Sequence, residues 1–202
     1  MLLGQNISLH RSSRKIFEDI NISLSPGKVI ILKGKNGSGK TSFIKTILNL
    51  LQPSSGTIYW KGKLLDKNLY DFYNNITYIA DKTSSIRQLS VFENIKIWKK
   101  IFLSDVSLKQ INDILSILNL DNFSNSKINT LSLGEVKKLE LLRLVIENKK
   151  LWILDEPFTN LDNHSINLIE QTFTDHCKND GSIIFSSHQE PKIQISEEIN
   201  LK

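Results

Sequence analysis

The chain has 202 residues and a mass of 23.1 kDa, and its 40% apolar content suffices for a proper core in one large domain or two small ones. No run approaches the ~18 uninterrupted apolar residues that a spanning helix needs, so membrane work falls to a separate chain, and the single cysteine, Cys177, excludes an intramolecular disulfide. The net charge of +5 is scattered in short pairs such as Lys99 and Lys100, Lys137 and Lys138, or Lys149 and Lys150, which describes a solvated surface rather than a nucleic-acid stripe, so no nucleic-acid partner is expected.

In chain order, MLLGQNISL lacks the basic start and small-residue cleavage site of an export leader and reads as a first strand. Its apolar end, Ile7 to Leu9, is the first of a series of short strands that continues at Ile20 to Leu24, Val29 to Leu32, Thr57 to Trp60 and Ile76 to Ala80, and the run from Ser42 to Leu51 reads as an amphipathic helix. Turn signals punctuate them: Ser25-Pro26-Gly27 precedes the third strand, and Pro53 with Gly56 ends the helix. Helix alone then takes over. Val91 to Leu103 is helical, and Leu108, Ile111, Leu115 and Leu118 follow three-to-four spacing. We therefore expect a helical subdomain over about 83–147, inserted in an α/β core formed by about 1–82 and 148–202. The core resumes with Leu151 to Leu154, a helix from Asn163 to Cys177, a strand at Ser182 to Phe185 and a small final strand. Trp60, Trp98, Trp152 and Phe158 are read as packing residues.

Three segments carry chemistry. Gly34, Lys35, Asn36, Gly37, Ser38, Gly39, Lys40, Thr41 and Ser42 fit GxxxxGK followed by Thr, placed between an apolar strand and a helix. The glycines let successive backbone N–H groups aim at phosphate oxygens, and the helix beginning near Lys40 adds its positive dipole end. Lys40 would meet the β and γ phosphates of ATP, and Thr41 would ligate Mg²⁺. At the far end of Leu151 to Leu154, Asp155 and Glu156 emerge where a parallel sheet binds ligands. Asp155 can hold Mg²⁺ and Glu156 can polarise the attacking water. Between these two lies LSLGEVKK, from Leu131 to Lys138.

This set, in this order, resembles the nucleotide-binding subunits of ATP-binding cassette (ABC) transporters along essentially the whole chain. The resemblance implies a P-loop NTPase core with a β-rich N-terminal part, an ATPase activity, and ATP and Mg²⁺ as cofactors. It makes Leu131 to Glu135 the signature, Glu156 the catalytic carboxylate, Thr159 to Asp162 the D-loop, and His188 the switch histidine. Ser132 and Gly134 would then cap the ATP of a second subunit, so a homodimer is implied, together with a multi-span membrane subunit. LWILDEPFTNLD, SSHQE, ITYIADK, SVFENIKIW and the short tail after them are similar to the ATP-binding subunits of cytochrome c maturation systems, the haem exporter ATPases. That resemblance implies other haem-handling subunits as partners and a peripheral place on the cytoplasmic face of a bacterial inner membrane, or the matrix face of the mitochondrial one. Another cargo, or an ATP-binding regulatory module without useful turnover, are the alternatives.

The chain also departs from the family pattern. Lys82 stands where a glutamine usually lies, and a lysine has three donors and no acceptor. Leu133 replaces a glycine and Glu135 a glutamine, which should weaken a closed state unless Lys137 or Lys138 compensates. No aromatic occupies His10 to Arg14, where the family often stacks adenine, so Arg11 is expected to stack through its guanidinium.

Overall fold

The computed structural model describes residues 1–12 and 14–202. Its strands are β1 (Leu2–Arg11), β2 (Arg14–Leu24), β3 (Val29–Lys33), β4 (Ser55–Trp60), β5 (Lys63–Leu64), β6 (Ile76–Ile79), β7 (Leu151–Leu154), β8 (Ser182–Ser186) and β9 (Glu197–Asn200). Its α-helices are α1 (Lys40–Ile47), α2 (Leu69–Asn74), α3 (Val91–Ile101), α4 (Leu108–Ile117), α5 (Leu133–Glu147) and α6 (Asn163–Lys178).

Two sheets form. The antiparallel one runs β2-β1-β4-β5, and the parallel one runs β6-β7-β8-β3-β9. The parallel strands are continuous apolar runs because both faces are covered, and their side chains divide by the period of two. Ile30, Leu32, Leu151, Ile153 and Ile184 pack on the side of α1 and the antiparallel sheet, through Phe43, Ile44, Leu9 and Phe17. Val29, Ile31, Trp152, Leu154, Ile183 and Phe185 pack on the other side, against Ile169 and Phe173 of α6 and Leu141 and Leu144 of α5.

A third apolar cluster joins Val91, Ile95 and Trp98 of α3, Ile111 and Leu115 of α4, and Leu139, Leu142 and Ile146 of α5. The helix α5 thus belongs to two cores, one on each side, which is why its sequence is apolar around most of its circumference. Ser90 and Ser107 start α3 and α4 with capping boxes, using Glu93 and Gln110.

β1 matches the strand expected in MLLGQNISL and runs on to Arg11, whereas β2 begins at Arg14 rather than Ile20, because pairing extends through bulges to the hairpin end. Helix α2 was not expected; it is anchored by buried Phe72, whose ring meets Trp60 edge-on at 5.2 Å. All four aromatics read as packing residues are buried.

Candidate ATP site

Four segments end on one edge of the parallel sheet. β3 leads into the loop 34–39, β7 into Asp155 and Glu156, β8 into Ser186 and His188, and β6 into Asp81. Together they wall a cavity of about 560 Å³ lined by Asn36, Gly37, Gly39, Lys40, Thr41, Ser42, Asp81, Asp155, Glu156, Thr159 and His188, with Arg14 and Ile16 at one side.

The loop's shape explains its glycines. Gly39 precedes α1 at φ 101°, a left-handed conformation that L side chains avoid. A Cβ on Gly34 would come within 2.3 Å of the Leu201 carbonyl oxygen, so β9's end closes against this loop. Lys35 and Ser38 of the same motif line a smaller cavity beside the main one, with Arg14, Lys15 and Lys202.

Lys40 is 7% exposed, and its ammonium donates to the Gly34 carbonyl at 2.8 Å. His188 Nε2 lies 3.0 Å from the same Lys40 Nζ, and Glu156 Oε1 lies 3.7 Å from it. Glu156 Oε1 is also 3.2 Å from His188 Nε2, yet it accepts no hydrogen bond of good geometry and is a buried, unpartnered acceptor. Such an atom is an open invitation to a donor such as water. Glu156 itself sits at φ 49°, a strained conformation for a glutamate that costs on the order of 1 kcal/mol, and its N–H donates to Ser186 Oγ at 2.9 Å.

Asp155 is 2% exposed with both carboxylate oxygens occupied: Oδ1 accepts from Ser186 Oγ at 2.6 Å and Oδ2 from Thr41 Oγ1 at 2.6 Å. A hydroxyl and a carboxylate are hard oxygen donors of the kind Mg²⁺ takes. Among the described residues no three His, Cys, Asp or Glu side chains gather to hold a metal alone; the Thr41 hydroxyl and the Asp155 carboxylate are the donors present for an ion that would take its remaining ligands from phosphate and water. Ser186 is a site residue that sequence reading missed, since only its position two residues before His188 marked it.

Tyr78 on β6 has its phenol pushed up to about 12 by burial and by the nearby Asp155 and Asp81 carboxylates, so it stays neutral beside the site.

Ser132 and Gly134 are not among the cavity's lining residues. Ser132 caps α5, accepting from Glu135 N at 3.3 Å, and Glu135 Oε2 accepts from Ser132 N at 2.7 Å. The helix starts at Leu133. The Glu135 carboxylate is therefore turned back on its own helix start, the capping-box contact that Gln110 makes at the start of α4. Gly134 is needed for a different reason: a Cβ there would lie 2.5 Å from the Asn160 carbonyl oxygen. Leu133 projects into solvent, 73% exposed.

Neither Lys137 nor Lys138 stands ready beside the signature. Lys138 Nζ pairs with Asp162 Oδ2 at 3.0 Å, while Lys137 is buried. Asp162 caps α6, and the Ser165 N–H it accepts, with Lys138 second, holds its carboxyl well below the usual range.

Two expectations are corrected. Lys82 is exposed, lines no part of the cavity and makes no hydrogen bond or ion pair among the described residues; the residue there that faces the cavity is Asp81. Arg11 is likewise not a lining residue: β2 is the strand of the hairpin that lies beside the phosphate loop, with Ile16 against Gly39, and it is Arg14 that borders the cavity. Ser13 in that turn lies outside the described residues.

Residues 17–159, more than half of the chain, match the family described as ABC transporter. The chain belongs to the ABC transporter family. It is an ATP-binding, ATP-hydrolysing cassette. Similar proteins include the "Cytochrome c biogenesis ATP-binding export protein CcmA" of Vibrio vulnificus, 31% identical over 94% of this chain and 93% of that protein. The protein of the same name from Reclinomonas americana is 35% identical over 94% of this chain and 88% of that one. Among solved structures, the ATP-binding protein of an ABC transporter from Pyrococcus furiosus superposes with a TM-score of 0.83 at 24% identity, covering 99% of this chain and 96% of that one. A dimeric ATP-binding cassette bound to ADP and Pi superposes with a TM-score of 0.76 at 20% identity, covering 94% and 88%. Both establish the P-loop α/β cassette fold. Among the described residues no helix is long and apolar enough to cross a membrane.

Proposed function

We propose that this chain is the ATPase subunit of a membrane ABC complex that handles haem during cytochrome c biogenesis. The observation that carries the ATPase part is the convergence of Lys40, Thr41, Asp155, Glu156 and His188 on one cavity from three strand ends. Lys40 would bind the β and γ phosphates after exchanging its contact with the Gly34 carbonyl. The N–H groups of 36–42 at the start of α1 would hold the remaining phosphate oxygens. Thr41 and Asp155 would hold Mg²⁺, which when bound supplies charge neutralisation between the β and γ phosphates. The unpartnered Glu156 Oε1 would accept a proton from the attacking water, and His188, 3.2 Å away, would orient that carboxylate and contact the γ phosphate.

The signature supports a two-copy site. Ser132 and Gly134 head α5 away from the cavity of their own chain, so they are free to cap the nucleotide of a second copy in a homodimer. Residues 83–147 would act as a helical subdomain, a division supported by the apolar cluster of α3, α4 and α5. The haem-export assignment rests on the named relatives, at near full length of both partners. With that reading goes a peripheral position on the cytoplasmic face of a bacterial inner membrane, or the matrix face in mitochondria, with a multi-span subunit and further haem-handling subunits as the partners we propose.

The test is genetic and biochemical together. In cells deleted for the protein, c-type cytochromes should lose covalent haem; the parent should restore them and Glu156→Gln should not. Purification from membranes should bring a multi-span subunit with the parent. Restoration by Glu156→Gln would discard the ATPase-driven reading, and intact c-type cytochromes in the deletion strain would discard the cargo.

A further inference from the structure

Glu140 lies midway along α5, 3% exposed, where a helix facing two apolar cores would be expected to carry an apolar residue. Its carboxylate accepts six hydrogen bonds. Oε1 takes Thr83 Oγ1 at 2.6 Å, Ser84 N at 2.9 Å, Ser85 N at 2.8 Å and Ser85 Oγ at 2.6 Å. Oε2 takes Ser84 Oγ at 2.8 Å and Arg143 Nη1 at 3.3 Å. Arg143 also donates to Ser84 Oγ at 2.8 Å and pairs with Glu147 at 2.7 Å. The buried charge is thus paid for in donors rather than in a single ion pair.

The segment so gripped is the short link between Asp81, at the rim of the cavity, and the helices α3 and α4. It is pinned again at Ile86, whose N–H donates to buried Asn94 Oδ1 at 2.8 Å. The helix that grips it begins two turns earlier at Ser132 and Gly134. We propose that Glu140 is a positioning residue of the ATPase: it latches the 83–85 loop to α5, so that Asp81 at the cavity rim and the signature at the head of α5 keep a fixed relation. This rests on the ATP-site reading of the cavity. Consecutive loop N–H groups form a natural anion seat, and here a carboxylate of the same chain fills it. Lys137, one turn before Glu140, buries an ammonium without a hydrogen-bond partner, and Asp81 and Glu140 are the foremost charges near it, which adds an electrostatic tie along the same line. Burial by itself would raise the Glu140 carboxyl, but the hydrogen bonds from Ser85, Thr83 and Ser84 outweigh it and hold the group ionised.

The experiment compares the parent with Glu140→Gln, which keeps the shape but turns an amide N–H₂ toward donors, and with the loop-side double variant Ser84→Ala and Ser85→Ala. Two readouts are taken well below each melting temperature: steady-state MgATP turnover, with kcat and KM resolved, and amide hydrogen exchange at 83–86. The latch predicts a kcat about tenfold lower in both variants, from misplacement remote from the chemistry, with KM within about threefold. It also predicts faster exchange at Ser84 and Ser85. A role confined to stability would lower the melting temperature and leave kcat and the KM split as in the parent; that result, or parent-like exchange, overturns the proposal. If Glu140→Gln fails to fold, the loop-side variant decides alone. A parent without MgATP turnover would sink the ATP-site reading instead, and the exchange at Ser84 and Ser85 would still report on the latch.

Discussion

Thr41 Oγ1 donates to Asp155 Oδ2 at 2.6 Å across 114 residues of sequence, and this bond joins the start of α1 to the end of β7. It puts a hydroxyl and a carboxylate where one Mg²⁺ can take both, once the proton shared between them is turned away. Ser186, on the other carboxylate oxygen, fixes the orientation of Asp155 from the neighbouring strand. Outer partners of this kind typically matter 10–100-fold in metal affinity. Ser186→Ala should therefore raise the Mg²⁺ concentration for half-maximal turnover by about tenfold, with ATP at saturation. A Mg²⁺ titration of ATPase rate checks it, and an unchanged midpoint would remove Asp155 from the metal site.

Lys40→Ala should weaken ATP binding most. The lost charge contact is worth up to about 4 kcal/mol at 4 Å and an effective dielectric of 20, before desolvation is set against it. Titration with a fluorescent ATP analogue measures the change, and binding equal to the parent would show that the loop does not grip the phosphates.

Glu156→Gln separates binding from chemistry. Hydrolysis should fall by ~10² or more, the usual effect of losing a general base, while Mg-ATP should hold a dimer on size-exclusion chromatography. A monomer with parental turnover would contradict both the base and the two-copy site.

Asp81 and Lys82 should behave oppositely to their sequence-based order of importance. Asp81 borders the cavity and places a like charge near bound phosphate, so Asp81→Asn should tighten ATP binding by a few-fold, roughly 0.5–1 kcal/mol for a screened charge. Lys82 lines none of the cavity, so Lys82→Gln and Lys82→Glu should leave basal turnover as it is. Equilibrium binding and initial rates on the three variants decide, and a large fall in Lys82→Glu would show that the side chain swings inward with nucleotide.

His176 sets an acid limit on stability. Its ring stacks on Trp152 at 3.5 Å and 6°, with Gly181 so close that a Cβ would come within 2.3 Å of the ring. Burial pushes its pKa down to about 4, below the ordinary 6.5. The unfolded chain thus takes up the proton first as pH falls, so this contribution to stability is whole above about 6.5 and declines until about 4, by on the order of 2–3 kcal/mol. His176→Phe should flatten that part of the stability profile. Urea melts between these pH values test it, and a parallel decline in both proteins would place the acid sensitivity elsewhere.

Sequence alone determined the parts whose residues act through their neighbours in the chain. The glycines of the phosphate loop and the apolar strand run before Asp155 and Glu156 are local patterns, and both stand in the structure where spacing placed them. Burial of β3, β7 and β8 was equally legible, since a strand covered on both faces must be apolar throughout. Tertiary structure decided what depends on partners distant in sequence. Which residue of the 81–82 pair faces the cavity is set by the path of the chain beyond the end of β6, and which arginine of the first hairpin borders it by the packing of β2 beside the phosphate loop, neither of which composition carries. The role of Glu140 is the clearest case. A glutamate amid apolar positions of a helix has no local reason to be there, and only folding brings it the Thr83, Ser84 and Ser85 donors that make its burial favourable.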